Sequence, residues 1–306
     1  DKADLIIANP SGIDIDGVHF INSKSTTITS AELKFKDGAL NNIDVKQGEI
    51  SISNRGLKDE SNYLNIISKT AKISANVYAN NLNIITGKNK LDKDLNILSS
   101  SSDDTKISID TSNLGGMYAN RIKIISTDKG AGVNSDAFIV SKNSKLEITA
   151  DGKIKVNKVQ GKGIDIKGKE YEQKDLAYSD EGISINADKI KLSGTGTQAN
   201  KQINLNGTVE NSATIYTKEG IKTKGLTNTG VVQATNQIEV EGNLTNNGEV
   251  LTNGNLTAKD SVSTKKIIAK DGISVGKLEN SGVVVTEKNL NINKNCGNTR
   301  KQIGCY

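Results

Sequence analysis

Tryptophan is absent from this chain of 306 residues, and 3 Phe and 7 Tyr are its whole aromatic complement. A compact globule of this length fills its core with more rings, so a core anchored on aromatics is excluded. There is one Pro against 29 Gly, which excludes a Pro-rich disordered chain. No apolar run approaches the ~18–20 residues that a membrane-spanning helix needs. No signal-peptide pattern opens the chain. The single His, His19, has no Ser or Cys partner at a recognisable motif. No GxSxG, P-loop, HExxH or dinucleotide fingerprint occurs, so no catalytic residue, cofactor or metal is expected.

What remains is mostly Ile, Leu, Val and Ala, with Asn, Ser, Thr and Lys around them. These side chains suit stacking in a narrow interior. Alternation recurs in short runs: Ile50-Ser51-Ile52-Ser53, Ile107-Ser108-Ile109-Asp110, Ile164-Asp165-Ile166-Lys167, Ile183-Ser184-Ile185-Asn186 and Ile203-Asn204-Leu205-Asn206. Each run has one buried and one wet face. Turn residues follow, as at Asn54-Arg55-Gly56 and Asn206-Gly207, and the Asp-Gly pairs at Asp37, Asp151 and Asp271 also read as turns. No 3.6-residue period is sustained.

Repeats are clearest after residue 220. Leu226-Thr227-Asn228-Thr229-Gly230-Val231-Val232 is similar to Leu244-Thr245-Asn246-Asn247-Gly248-Glu249-Val250 and to Leu278-Glu279-Asn280-Ser281-Gly282-Val283-Val284. The first two are 18 residues apart, and the next gap is 34, twice 17. Units of ~20 residues point to a solenoid. The expected fold is all-β, a right-handed parallel β-helix with small extra-helical hairpins or loops. Asn side chains at the turns should form hydrogen-bonded ladders. Roughly fifteen coils at ~4.8 Å would make a rod on the order of 70 Å long. The segment 169–178 breaks the alternation and reads as an extra-helical loop or an irregular coil.

Net charge is +5 with a sequence pI near 8.9. Lys residues occur singly, interleaved with Asp and Glu, so a nucleic-acid partner is not expected.

Two stretches carry a resemblance. Asn9-Pro10-Ser11-Gly12-Ile13, with Gly17-Val18-His19-Phe20-Ile21-Asn22, resembles the NPNGI…GxxFIN motif of the haemagglutination-activity domain of two-partner-secreted exoproteins. These include filamentous haemagglutinins, haemolysins and contact-dependent growth inhibition proteins. Leu114-Gly115-Gly116-Met117-Tyr118-Ala119 through Val133 is similar to the family's LGGMYA…GTEKGVGV stretch, in the same order and about a hundred residues on. Ile15 and Val18 stand where many relatives carry a Cys pair. The chain opens on what reads as a strand under way and lacks the family's upstream segment, so a fragment or truncated member is expected.

The resemblance implies a TpsB-type outer-membrane transporter as partner, a secreted or cell-surface location, and an adhesin, haemagglutinin or contact-dependent inhibition stalk. The receptor, on a host or a bacterial surface, is not identified. The domains implied are 1–150, a truncated secretion-type β-helix; 151–294, a haemagglutinin-type repeat β-helix; and 295–306, a Cys-containing tail. Asn9, Pro10 and Gly12 are expected to shape a tight turn, Phe20 and Ile21 to fill the interior, and Asn22 to satisfy a turn. Gly115, Gly116, Met117, Tyr118 and Ala119 form the second motif. Two rival readings stand: a polysaccharide-acting β-helix enzyme, and a structural spacer carrying a distal effector. Asp14 and Asp16 flank Ile15 on one face, where paired carboxylates serve acid–base chemistry or calcium; solvent-facing strand positions are the preferred reading. Sequons at Asn206, Asn243 and Asn255 are expected by chance in so Asn-rich a chain.

Both cysteines, Cys296 and Cys305, fall in the last eleven residues. Outside the cytoplasm such a pair is a candidate disulfide. Some high-molecular-weight adhesins of the family end in a similar Cys-closed loop. Closing a loop of about ten residues restricts the unfolded chain by about 2.5–3 kcal/mol. Mass spectrometry of unreduced extracellular protein is expected to find the pair bonded; two free thiols would refute the bond.

Overall fold

The computed structural model describes residues 2–101, 105–293 and 303–305. Among them every regular element is a strand, and no helix is long and apolar enough to cross a membrane. The chain divides into two compact units, Asp1–Lys162 with Ile166–Lys169, and Gly163–Asp165 with Glu170–Tyr306.

The first unit is a parallel β-solenoid. Strand Gly12–Phe20 pairs with Glu49–Asp59, setting Ile13 beside Ile50 and Ile15 beside Ile52. Ser23–Thr29 pairs with Tyr63–Ser68, which pairs with Asn76–Thr86; next come Gly116–Ser126 and Leu146–Ala150. Two columns of side chains run through these registers. Thr26, Leu64, Leu82, Ile122 and Leu146 form one, and Ile28, Ile66, Ile84, Ile124 and Ile148 the other. All ten are at most 1% exposed. The alternating apolar residues thus bury against their equivalents one coil away.

Two hairpins leave this solenoid. Glu32–Lys36 and Ala39–Asp44 form one; Lys88–Asp92 and Ile97–Ser101 form the other. They join as a four-stranded antiparallel sheet through the pairing of Lys88–Asp92 with Ala39–Asp44. The extra-helical hairpins expected from the sequence are therefore present. Asp37 and Gly38, at φ 52° and 76°, make the two-residue turn with both angles positive that matches strand twist. Ala31, Ile43, Val45, Ile67, Ile85 and Leu91 form a small core beneath the sheet. A buried ion pair ties it down: Lys69 Nζ bonds the Asp128 carboxylate, and Asp128 Oδ1 accepts the Lys88 amide at 3.0 Å. Removing either partner would leave an uncompensated buried charge.

The second unit is also a parallel β-solenoid. Ile183, Ile203, Ile221, Ile238, Leu256 and Ile273 are successive register partners, and all are buried. Leu226 stands beside Leu244, and Leu244 reaches Leu278 through Ser261, so the 18- and 34-residue spacings are one coil and two. The expected Asn ladder lies inside. Asn211 Nδ2 donates to Asn228 Oδ1 at 2.8 Å, and Asn228 Nδ2 donates to Asn246 Oδ1 at 2.9 Å. Each also closes its own turn, as when Asn228 Nδ2 donates to Gly230 O and its Oδ1 accepts the Gly230 amide.

Residues 169–178 correct an expectation. Glu170–Ser179 is a regular strand, pairing Tyr171 with Ile190 and Gln173 with Leu192. Tyr171, Gln173, Ala177 and Ser179 are the buried side chains, and burial pushes the Tyr171 phenol up. Gln173 Nε2 donates to Gly196 O at 2.9 Å, and its Oε1 accepts Thr197 Oγ1 at 3.0 Å. The inward positions are occupied, but all except Ala177 by polar or amphipathic groups, so no apolar alternation appears.

Two measurements test this account. Asn228→Ala removes donors and acceptors from a buried ladder and is expected to destabilise the chain by about 2–4 kcal/mol, read as a lower denaturation midpoint. The Glu32 carboxylate, bonded by Lys34 Nζ at 2.9 Å and Lys46 Nζ at 3.0 Å, has its pKa lowered from 4.5 to about 2. The folded value lies below the unfolded one, so its contribution is present above pH 4.5 and lost as pH falls toward 2. The stability difference between the native chain and Glu32→Gln should therefore shrink across that window. A difference independent of pH would remove the carboxylate from the explanation.

Candidate functional site

The first motif is a turn followed by a strand. Gly12 N donates to Asn9 O at 3.0 Å, and Ser11 N to Asn9 Oδ1 at 3.1 Å. Pro10 takes the second position, where its fixed φ fits. Asn9 N donates to Thr29 O, anchoring the turn to the next strand. Gly12 sits at φ 115°, and a Cβ there would lie 2.7 Å from Glu49 O. Asn9, Pro10 and Gly12 thus occupy the first, second and fourth positions of this turn. Asn22, at φ 62°, takes the left-handed conformation that Asn tolerates, and turns the chain into Ser23–Thr29.

Phe20 and Ile21 do not both fill the interior. Phe20 is half-buried and Ile21 is 59% exposed. The strand ends at Phe20, and Ile21 lies in the connection to Ser23–Thr29, where its side chain is left in solvent. The buried apolar residue of the motif is Ile15. Gly17, at φ 74°, accompanies a register shift between Asp16 and Val18.

Asp14 and Asp16 share a solvent face, as alternation requires, but both are occupied by the next coil. Asp14 bonds Ser51 Oγ. Asp16 accepts Asn54 Nδ2 at 3.0 Å and Arg55 Nε at 3.1 Å, and these bonds, Asn54's first, lower its pKa. Among the described residues no group of three or more His, Cys, Asp or Glu gathers as a metal site would require. His19 Nε2 lies 3.0 Å from Glu60 Oε1. Glu60, also bonded by Lys58 Nζ at 2.8 Å, has its pKa lowered, first by Lys58 and then by His19.

The second motif lies three strands further along the stack. Met117 is fully buried between Val77 and Ile139, and Ala119 is 2% exposed. Tyr118 stacks on Tyr78, ring centroids 5.2 Å apart and planes 17° apart, and meets Phe138 edge-on at 6.4 Å. The two glycines each make room. A Cβ on Gly116 would lie 2.6 Å from the Tyr118 ring, and one on Gly115 would lie 2.6 Å from Ile73 O. Sequence reasoning paired residues 77–85 with 117–125 as a repeat 40 residues and about two coils apart; the register makes them direct neighbours, Tyr78 beside Tyr118. It missed the Phe138 contact and the pairing of Lys69 with Asp128.

The sequon residues are dispersed. Asn206 is half-buried and donates to Asn186 Oδ1 at 2.7 Å, while Asn243 and Asn255 are exposed. The Cys296–Cys305 pair lies outside the described residues; the backbone of Ile303–Cys305 pairs with Val283–Thr286.

Residues 1–156 match the TPS secretion domain family. The chain belongs to that family. It is an exoprotein of the two-partner secretion type, a class carried outside the cell and displayed at its surface. A TPS domain implies a TpsB-type transporter as partner. The Toxin CdiA of Yersinia pestis is 37% identical over 164 residues, covering 52% of this chain and 5% of that protein. The tRNA nuclease CdiA of Yersinia mollaretii is 31% identical over 242 residues, covering 73% of this chain and 8% of that protein. The chain thus spans less than a tenth of either relative. A crystal structure of a filamentous hemagglutinin secretion domain matches 97% of this chain and 68% of that chain, with 17% identity and TM-score 0.41.

Gly12→Ala and Gly115→Ala test the motif glycines. Each places a Cβ against a backbone oxygen, and each is expected to destabilise the fold by about 1–3 kcal/mol in a denaturant titration. Gly130→Ala, which meets nothing within 4 Å at φ 75°, should cost about 1 kcal/mol or less.

Proposed function

We propose that this chain is the export-directing and stalk-forming part of a longer surface exoprotein. The observation that carries this reading is the match of residues 1–156 to the TPS secretion domain. In this reading residues 1–150 are a secretion-type β-helix presented to the transporter, 151–294 are a haemagglutinin-type repeat β-helix, and 295–306 are a Cys-containing tail. Asn9, Pro10, Gly12 and Asn22 serve folding and secretion competence by shaping turns, and Phe20 and Ile21 flank the second of those turns. Gly115, Gly116, Met117, Tyr118 and Ala119 serve by packing one coil on the next. The transporter meets the chain as it emerges, and a receptor on a host or bacterial surface is contacted by the assembled exoprotein.

The chain itself carries no catalysis in this reading. The nuclease names of the relatives describe proteins more than ten times longer than the matched stretch, as their 5–8% coverage shows. A polysaccharide-acting enzyme is disfavoured because Asp14 and Asp16 are bonded to Ser51, Asn54 and Arg55. Nucleic acid is disfavoured because many lysines are spent on carboxylates, as Lys222 is on Glu239 and Glu241.

Co-expression with a TpsB-type transporter gives the decisive experiment. The native chain is expected in the medium or on the cell surface, and removal of residues 1–150 is expected to abolish export. Gly12→Ala should lower the exported amount severalfold at equal synthesis. Undiminished export without residues 1–150 would sink the reading. Incubation with polygalacturonate and with tRNA should release no new ends.

A further inference from the structure

The stacked tyrosines form one wall of a groove that the secretion reading leaves without a role. The outward column runs His19, Lys58, Tyr78, Tyr118, each the register partner of the next. Beside it runs a floor of small residues, Ala79 paired with Ala119, together with the buried Asp59, whose Oδ1 accepts the Ser61 amide. Asn80 and Asn120 make the opposite wall, and Lys142 closes one end. The cleft encloses about 260 Å³. It crosses roughly three coil spacings, a length on the order of 15 Å.

Several groups here are open for a ligand. Tyr78 is 46% exposed. Asn80 Nδ2 is committed to Ser61 O at 2.9 Å, which leaves its Oδ1 as an acceptor facing the groove wall. Asn120 Oδ1 accepts Asn143 Nδ2 at 2.9 Å, which leaves its own amide as a donor. Lys142 has an exposed side chain with no ion-pair partner among the described residues. The neighbouring Lys58 is different: Glu60 neutralises it. The backbone along the floor is committed to its ladder neighbours, so an extended polypeptide finds few main-chain partners. A chain of sugar rings needs no ladder. It needs an aromatic flank for its C–H faces, amide donors and acceptors for its hydroxyls, and small residues under it.

We propose that this groove binds a short stretch of a linear glycan, two or three sugar units long. The unpaired Lys142 favours a glycan that carries a carboxylate. Three of the chain's few aromatics, Tyr78, Tyr118 and Phe138, are gathered on this one surface. Phe138 and Gly116 hold the Tyr118 ring in place, and Tyr118 in turn supports the exposed Tyr78.

The test uses the full chain and saturation-transfer NMR. Because the chain has no Trp, tyrosine emission gives an independent optical readout. Probes are a glycan array containing neutral, amino and acidic sugars, then maltohexaose and hexagalacturonate in solution, with an extended hexapeptide pool as a separate arm. Binding in the millimolar range or tighter is expected, stronger for hexagalacturonate. Tyr78→Ala should weaken it about tenfold. Lys142→Gln should remove the preference for the acidic probe and leave the neutral one bound. Tyr63→Ala, at a 45% exposed tyrosine outside the groove, should leave binding unchanged. Circular dichroism melts exclude unfolding as the cause; should Tyr78→Ala melt early, the loss of acidic preference in Lys142→Gln decides. No array binding, equal binding by the Tyr78→Ala and native chains, or preference for the peptide pool would each overturn the proposal. All three are readable without the transporter, so they are separate from failure of export.

Discussion

Parallel coils stack in register at about 4.8 Å, and this spacing governs what any residue in the chain can be. An inward side chain touches the equivalent positions of the coils before and after it. It therefore has to match them in chemistry as well as in size. Ile66 meets Ile28 and Ile84 on either side, and Ile124 extends the same column. The hydrophobic contribution is repeated column by column rather than gathered in one centre, and small branched residues serve it without aromatics.

The same constraint makes a series the arrangement that best satisfies buried amides. A single buried amide between two isoleucines would leave its donors and acceptors unmet. Asn228 avoids this because Asn211 and Asn246 flank it in the ladder. Ser261 shows the opposite situation. It stands between Leu244 and Leu278, is buried, and its hydroxyl has no hydrogen-bond partner. Lys69 and Asp128 bring charge inside as a pair beneath the protruding sheet, whereas Asp59 is buried with Oδ1 accepting the Ser61 amide and Oδ2 without a hydrogen-bond partner.

Legibility in the sequence followed these rules. Runs such as Ile183-Ser184-Ile185-Asn186 announced a strand because their inward residues are apolar. Glu170–Ser179 did not, because Tyr171, Gln173, Ala177 and Ser179 face inward and only a matched polar neighbourhood makes that tolerable. The turn at Asp37-Gly38 was visible, yet the partnership of its hairpin with Lys88–Asp92 was not. That contact joins residues nearly fifty positions apart, and nothing local records it. In the first motif, residue types sufficed for the turn at Asn9–Gly12. They misled at Ile21, where apolar character suggested burial but the residue lies past the end of the strand, in the connection to Ser23–Thr29, and is exposed. Tyr118 was found as a motif letter; that it leans on Gly116 and Tyr78 emerged only from the register.

The direction of the Asn ladder has a consequence for how such a chain changes length. Asn211, Asn228 and Asn246 each donate to the following coil. A coil with Asn at this position therefore presents one acceptor to the coil before it and one donor to the coil after. Duplicating or deleting such a coil, a segment of 17 or 18 residues, restores the same junction on both sides. The ladder acts as a coupling with a standard plug and socket, and its terminus at Ser263, a hydroxyl that accepts the last amide, marks where that freedom ends. Unequal recombination within this stretch would remove or add coils with every ladder amide still bonded, whereas Lys69 and Asp128 meet as a single pair that no neighbouring coil repeats among the described residues.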